Sequence, residues 1–169
     1  MEGYICKIAT REELCKRWDY LNAIHPGSQE WMGYRGFALR NFDDGSTITY
    51  LGFLDGEIVC EASAYVKPSA FVDDISQPEG LLTDSMGYLA AFRTNEEYEG
   101  KGYFRKLYDF MENDMRSRGY TSLCLGVGPE AVRNIQIYFH LGYTEYLKTV
   151  IERTYDGEED VILFYKKTL

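Results

Sequence analysis

The sequence predicts an α/β protein built on a mixed, mostly antiparallel twisted sheet of about six to seven strands flanked by about four helices. Three observations carry that expectation. Two pairs of β-branched and aromatic runs meet at Asp55-Gly56 and Asp156-Gly157, the strongest short signal for an antiparallel hairpin. Between them, residues 86–142 alternate strand, helix, strand, helix, the order of a parallel crossover. A length of 169 residues suits one core, so residues 1–169 read as a single domain.

Each element has a local reason. Residues 4–9 make a short apolar strand, and Thr10-Arg11-Glu12-Glu13 then forms a capping box that opens a helix carrying Leu14, Trp18 and Leu21 at helical spacing. Pro26-Gly27 ends it. A second helix over residues 28–42 is interrupted in pattern by Gly33 and Gly36. Residues 46–54 and 57–66 form the first hairpin, and residues 68–85, without clear periodicity, form a long acidic loop. Residues 86–94 are the next strand. Residues 104–118 follow as a helix with Phe104, Leu107, Tyr108, Met111 and Met115 on one stripe, and Gly119 stands at its C′ position. Residues 120–125 make a buried strand. Pro129 suits the first position of a helix over Val132, Ile135, Tyr138, Phe139 and Leu141. Residues 144–154 and 160–167 form the closing hairpin, whose exposed edges make a homodimer reasonable.

Composition narrows the function. Lys and Arg total 18 against 27 Asp and Glu, a net charge of -9, so the average field repels nucleic acid and anionic membranes and favours a cationic small molecule. The 45% hydrophobic content, with 15 tyrosines, excludes disorder. Cys6, Cys15, Cys60 and Cys124 show no Cys-x-x-Cys spacing and read as reduced residues; with His25 and His140 they make no zinc-ligand pattern, so no metal is expected. No leader pattern and no apolar run of about 18 residues is present, which points to a cytoplasmic address.

Two glycine turns compete for an anionic ligand. Glu99-Gly100-Lys101-Gly102-Tyr103-Phe104 lies between a strand and a helix, where free backbone N–H groups and the positive helix end converge. Lys101, Arg105 and Lys106 gather there against the dipole, an arrangement that an anion would neutralise. The rival, Gly126-Val127-Gly128-Pro129-Glu130-Ala131, fits a dinucleotide fingerprint, with Glu152 in the region of a ribose contact. Against it, too few βα units follow, and Pro129 removes a donor.

The segments 94–107 and 138–143 resemble the GCN5-related N-acetyltransferase (GNAT) family, and the resemblance extends over most of the chain. The family signature, Arg or Gln, two residues, Gly, one residue, Gly or Ala, falls on Glu99, Gly102 and Phe104, so two of its three fixed positions are altered. Glu99 brings negative charge toward a pyrophosphate, and Phe104 brings bulk. The resemblance implies acetyl-CoA as acyl donor, with Phe92, Arg93 and Thr94 alongside the pantetheine arm and Glu99, Gly100, Lys101, Gly102, Tyr103 and Phe104 around the pyrophosphate. It also implies a strand corresponding to residues 121–127 that splays to leave a slot for the thioester.

Tyr138 falls where many family members carry the tyrosine that protonates the departing thiolate; otherwise it is one aromatic of a core stripe. Ala131 replaces a frequent family Asn, and Asn134, one turn later, either contacts the cofactor or is an exposed polar residue. Glu61, on the central hairpin strand, and Asp84, before the cofactor strand, are the candidates for general base, although such acids are more often solvated surface groups. Trp31, Tyr34 and Phe37 line the acceptor side or pack the second helix. The activity implied is acetyl transfer to a small-molecule or peptide amine, with no covalent enzyme intermediate. The alternatives are a non-catalytic acyl-CoA-binding module and the dinucleotide reading of residues 126–131.

Overall fold

A computed structural model describes residues 3–71, 80–153 and 159–169. In chain order it contains β1 (Tyr4–Ile8), α1 (Arg11–Ile24), α2 (Gln29–Asp43), β2 (Thr47–Leu54), β3 (Glu57–Tyr65), β4 (Met86–Thr94), α3 (Tyr103–Ser117), β5 (Ser122–Val127), α4 (Val132–His140), β6 (Glu145–Arg153) and β7 (Glu159–Thr168). The strands form one sheet in the order β1-β2-β3-β4-β5-β7-β6. β4 and β5 run parallel and the remaining described neighbours are antiparallel, the mixed sheet that the sequence predicts.

The Thr10 capping box forms as expected: Thr10 Oγ1 accepts from the Glu13 N–H, and the Thr10 N–H donates back to Glu13. α2 runs unbroken through Gly33 and Gly36, because the Ser28 hydroxyl caps its first turn and Trp31, Ala38, Leu39 and Phe42 pack onto Leu14, Trp18 and Leu21 of α1. Packing outweighs the intrinsic cost of roughly 1 kcal/mol per helical glycine.

One expectation needs correction. Pro129 does not open α4: Ala131 N–H bonds back to Gly128 in a turn, and the helix begins only at Val132. Of the closing hairpin, β7 lies beside β5 and β6 forms the sheet edge. Most of the acidic loop, and the Asp156-Gly157 turn, lie outside the described residues.

The sheet separates two helical layers. Ala62, Ala64, Leu89, Leu123 and Leu125 pack with Leu107, Tyr108, Met111 and Met115 of α3 on one side, and α1 and α2 cover the other. No described helix is long and apolar enough to cross a membrane.

One irregularity positions everything below. Glu61 pairs with Arg93 and Ser63 with Ala90, so Ala62 alone stands opposite both Ala91 and Phe92. This is a β-bulge, and Ala91 adopts φ +56° within it. Side chains alternate along a strand, so the extra residue moves each later side chain to the opposite face. Tyr88, Ala90 and Arg93 therefore share the α1/α2 side, while Leu89 and Phe92 face α3. β4 leaves β5 before the bulge: their pairing covers only Met86 to Tyr88 against Ser122 to Cys124.

Candidate active site

A cleft of about 220 Å³ opens on the α3 side where β4 and β5 part. It is lined by Phe92, Thr94, Tyr98, Glu99, Gly100, Gly102, Tyr103, Phe104, Arg133, Asn134, Ile137 and Tyr138. Most of the residues expected at a cofactor site are thus brought together, Asn134 among them. Arg93 is not, since the bulge turns its side chain to the other face, and Lys101 lies over the Tyr98 ring at 5.6 Å.

The floor of the cleft is polar by virtue of its backbone. Gly100 and Gly102 take φ of +70° and +80°, a region that costs other L-residues roughly 1–2 kcal/mol. Gly102 caps α3 without a side chain to satisfy the first turn. The first intrahelical donor is the Lys106 N–H, bonded to Gly102 O. Among the described residues, the six N–H groups of residues 100–105 have no hydrogen-bond acceptor. No acidic residue stands in the first turn of α3 to answer the dipole. An anion of several oxygens fits this array.

The helix start is also fixed in position. The Tyr4 phenol donates to the Tyr103 carbonyl at 2.9 Å, and its ring fits over Gly52, where any Cβ would stand 2.0 Å from the phenol oxygen. A strand glycine in the first hairpin thereby anchors the cleft. Sequence reasoning missed this pair, because Tyr4 and Tyr103 are 99 residues apart.

The two altered signature positions are both accommodated. Glu99 pairs with Arg133 across the cleft mouth at 2.9 Å, so its charge is met from α4. The Phe104 ring turns onto Phe92, centroids 5.1 Å apart, and its bulk joins the wall. Tyr138 packs edge-on against the same Phe92 at 6.0 Å, and burial raises its phenol above the ordinary value, which keeps it protonated at neutral pH.

The opposite side of β4 carries a second cavity, of about 250 Å³, walled by Trp18, Tyr34, Phe37, Tyr65, Phe71, Tyr88 and Phe164 among others. Tyr34 and Phe37 thus line a cavity rather than only packing α2. Glu61 and Arg93 are the charged groups on the described wall. Glu61, 1% exposed, accepts from Arg17 Nε and from Arg93 Nη1, both at 2.8 Å. Arg17, equally buried, donates also to Asn95 Oδ1 at 2.6 Å, tying α1 to the end of β4. Asp84 is not brought to either cavity; it is exposed in the turn before β4, at the other end of that strand. His140 is exposed and outside both linings.

The rival turn at residues 126–131 lacks a dinucleotide site's surroundings. The strand before it has one parallel neighbour, and a Cβ on Gly126 would meet Phe164 and Ile162 within 2.9 Å, so this glycine serves close packing against β7.

Comparison with known proteins agrees with this architecture. The profile of the acetyltransferase (GNAT) family matches residues 7–143. A ribosomal-protein-alanine N-acetyltransferase from Brucella melitensis superposes with a TM-score of 0.67 at 17% identity, covering 98% of this chain and 99% of that one. A Salmonella typhimurium protein assigned as an acetyltransferase and solved with its cofactor acetyl-CoA gives 0.67 at 14% identity, covering 99% and 95%. A GNAT-family protein from Desulfovibrio desulfuricans gives 0.71 at 10% identity, covering 98% of each chain. No curated protein sequence matches. With its bulged β4, parted β5 and profile match over most of its length, the chain belongs to the acetyltransferase (GNAT) family.

Proposed function

We propose that this protein transfers the acetyl group of acetyl-CoA to a primary amine by direct attack in a ternary complex. The observation that carries this reading is the run of unpartnered N–H groups at residues 100–105, at the mouth of a cleft that also holds the Tyr138 phenol. Those donors receive the pyrophosphate, with Arg133 and Lys101 as nearby cations. The backbone of Phe92, Arg93 and Thr94, unpaired on the β5 side, receives the pantetheine amides as an added strand would.

Acetyl-CoA supplies an activated acyl group; the C–N bond forms as the C–S bond breaks. Tyr138 gives its proton to the departing thiolate; burial raises the phenol, so the proton is in place at neutral pH. β4 and α3 fix the geometry, so positioning rather than a covalent intermediate lowers the barrier. Of the two acids considered as base, Glu61 has both oxygens engaged by guanidinium groups and serves to hold Arg93. Asp84, remote from both cavities, takes no part. The ammonium proton leaves through water.

Titration calorimetry with acetyl-CoA, together with thiol release in the presence of an amine panel, tests the reading. Binding with amine-dependent thiol release is expected. Binding without release on any amine favours a non-catalytic acyl-CoA module, and failure to bind acetyl-CoA overturns the proposal.

A further inference from the structure

The second cavity specifies an acceptor. We propose, on the basis of the acetyl-transfer reading, that the acceptor is a small apolar amino acid, preferably aromatic, whose own carboxylate is held by Arg93.

The argument begins with charge. Arg17, Glu61 and Arg93 form one cluster with two cations and one anion. Arg17 is sealed inside, with its donors directed at Glu61 and Asn95. The surplus positive charge therefore resides on Arg93, whose side chain keeps 25% exposure on the cavity wall. Among the described residues its one hydrogen bond is Nη1 to Glu61, so most of its five N–H donors are uncommitted. Its guanidinium carbon lies 5.3 Å from the ring centres of both Trp18 and Trp31, cation–π contacts that hold it in place without using its N–H donors. A carboxylate is the anion that a guanidinium edge binds in bidentate fashion.

Shape and polarity define the remainder. Rings dominate the walls, with Tyr65, Phe71 and Tyr88 in mutual edge or tilted contact at 5.1 to 5.7 Å; of the uncharged polar residues beside them, Thr49 and Ser63 bond to each other, Asn41 bonds to the Ala70 carbonyl, and Thr47 completes the lining. A volume of about 250 Å³ falls just below the roughly 300 Å³ of the smallest drug-sized sites. It suits a molecule of amino-acid size and excludes an aminoglycoside. A polyamine is excluded on charge, since the only carboxylate on the described wall already serves two guanidinium groups. The acidic character of the whole chain thus reverses locally where the acceptor sits.

The experiment compares phenylalanine, leucine, phenethylamine, spermidine and a phenylalanine-initiated tripeptide as acceptors with acetyl-CoA. Calorimetric binding of phenylalanine and of phenethylamine is measured in parallel without acetyl-CoA. Phenylalanine is expected to exceed phenethylamine in kcat/KM by at least about 50-fold, the discrimination of a carboxylate-guanidinium contact. Arg93→Gln should erase most of that ratio, Arg93→Lys should keep part of it, and both should bind acetyl-CoA within about threefold of wild type. Equal use of phenethylamine, preference for spermidine or the tripeptide, or an unchanged ratio in Arg93→Gln overturns the proposal. If acetyl-CoA does not bind while phenylalanine binds in an Arg93-dependent way, the acetyl-transfer reading fails and the assignment of the cavity stands. If acetyl-CoA binds and phenylalanine does not, the reverse holds.

Discussion

The cleft facing α3 presents backbone groups, whereas the cavity facing α1 and α2 presents side chains. In the first, adjacent residues at 100–105 present N–H groups, and two glycines permit the turn. In the second, the cavity takes residues from α1, α2 and four strands, and its Arg93 guanidinium is held by a carboxylate from the neighbouring strand. The first arrangement tolerates substitution at most side chains, which explains how Glu99 and Phe104 replace the family's signature residues without emptying the site of donors. The second depends on specific residues, so on the proposed reading substitutions there change acceptor choice.

This contrast can be broken or sharpened by mutation. The largest effect is expected at Glu61→Ala, which leaves Arg17 buried without its carboxylate; removal of one partner of such a pair costs about 3–5 kcal/mol, read by chemical denaturation. A loss below about 1 kcal/mol would mean that water or Asn95 compensates, and the cluster would lose its role as a fixed support.

Next comes Tyr138→Phe, which should lower kcat on the order of 100-fold while leaving acetyl-CoA affinity unchanged. Because burial raises the phenol above 10.0, the wild-type rate should show no alkaline fall attributable to it below about pH 10. An unchanged kcat on every active amine would return Tyr138 to a packing role.

Gly102→Ala places a Cβ at φ +80°, a strain of roughly 1–2 kcal/mol, and should weaken acetyl-CoA about tenfold with no change in acceptor preference. A shift in acceptor preference would show that the two sides of β4 are not separate in function. The smallest effect belongs to the Glu99 and Arg133 pair, exposed on both sides. Glu99→Gln should release Arg133 and tighten acetyl-CoA about two- to fourfold at low salt, with the gain lost at high salt.

Legibility in the sequence follows the same division. The capping box at Thr10, the first hairpin at Asp55-Gly56 and the turn at residues 99–104 are set by near neighbours, and each formed as its residues indicate. The continuity of α2 through two glycines was not legible, because it depends on packing against α1. Nor was the side of the sheet on which Arg93 lies. Counting alternation from Tyr88 puts Phe92, not Arg93, toward α1, and only pairing across β3 reveals the extra residue at Ala91. Tyr4 beneath the start of α3 was hidden for a similar reason: its partner is remote in the chain.

Strand β4 is in effect read in two frames, one before Ala91 and one after it. Deleting that single residue would remove the positive φ and restore regular alternation, at no loss of any named functional side chain. Phe92 would still face α3 and Arg93 would still face α1 and α2, since the extra residue is taken up wholly within the bulge; the two would change places only if Ala91 were kept and the strand were forced into unbroken register with β3. Ala91 contacts no cofactor donor and carries only a methyl group. It is nonetheless the residue that lets Phe92 and Arg93 keep opposite sides of the sheet while β3 and β4 stay paired on both sides of it.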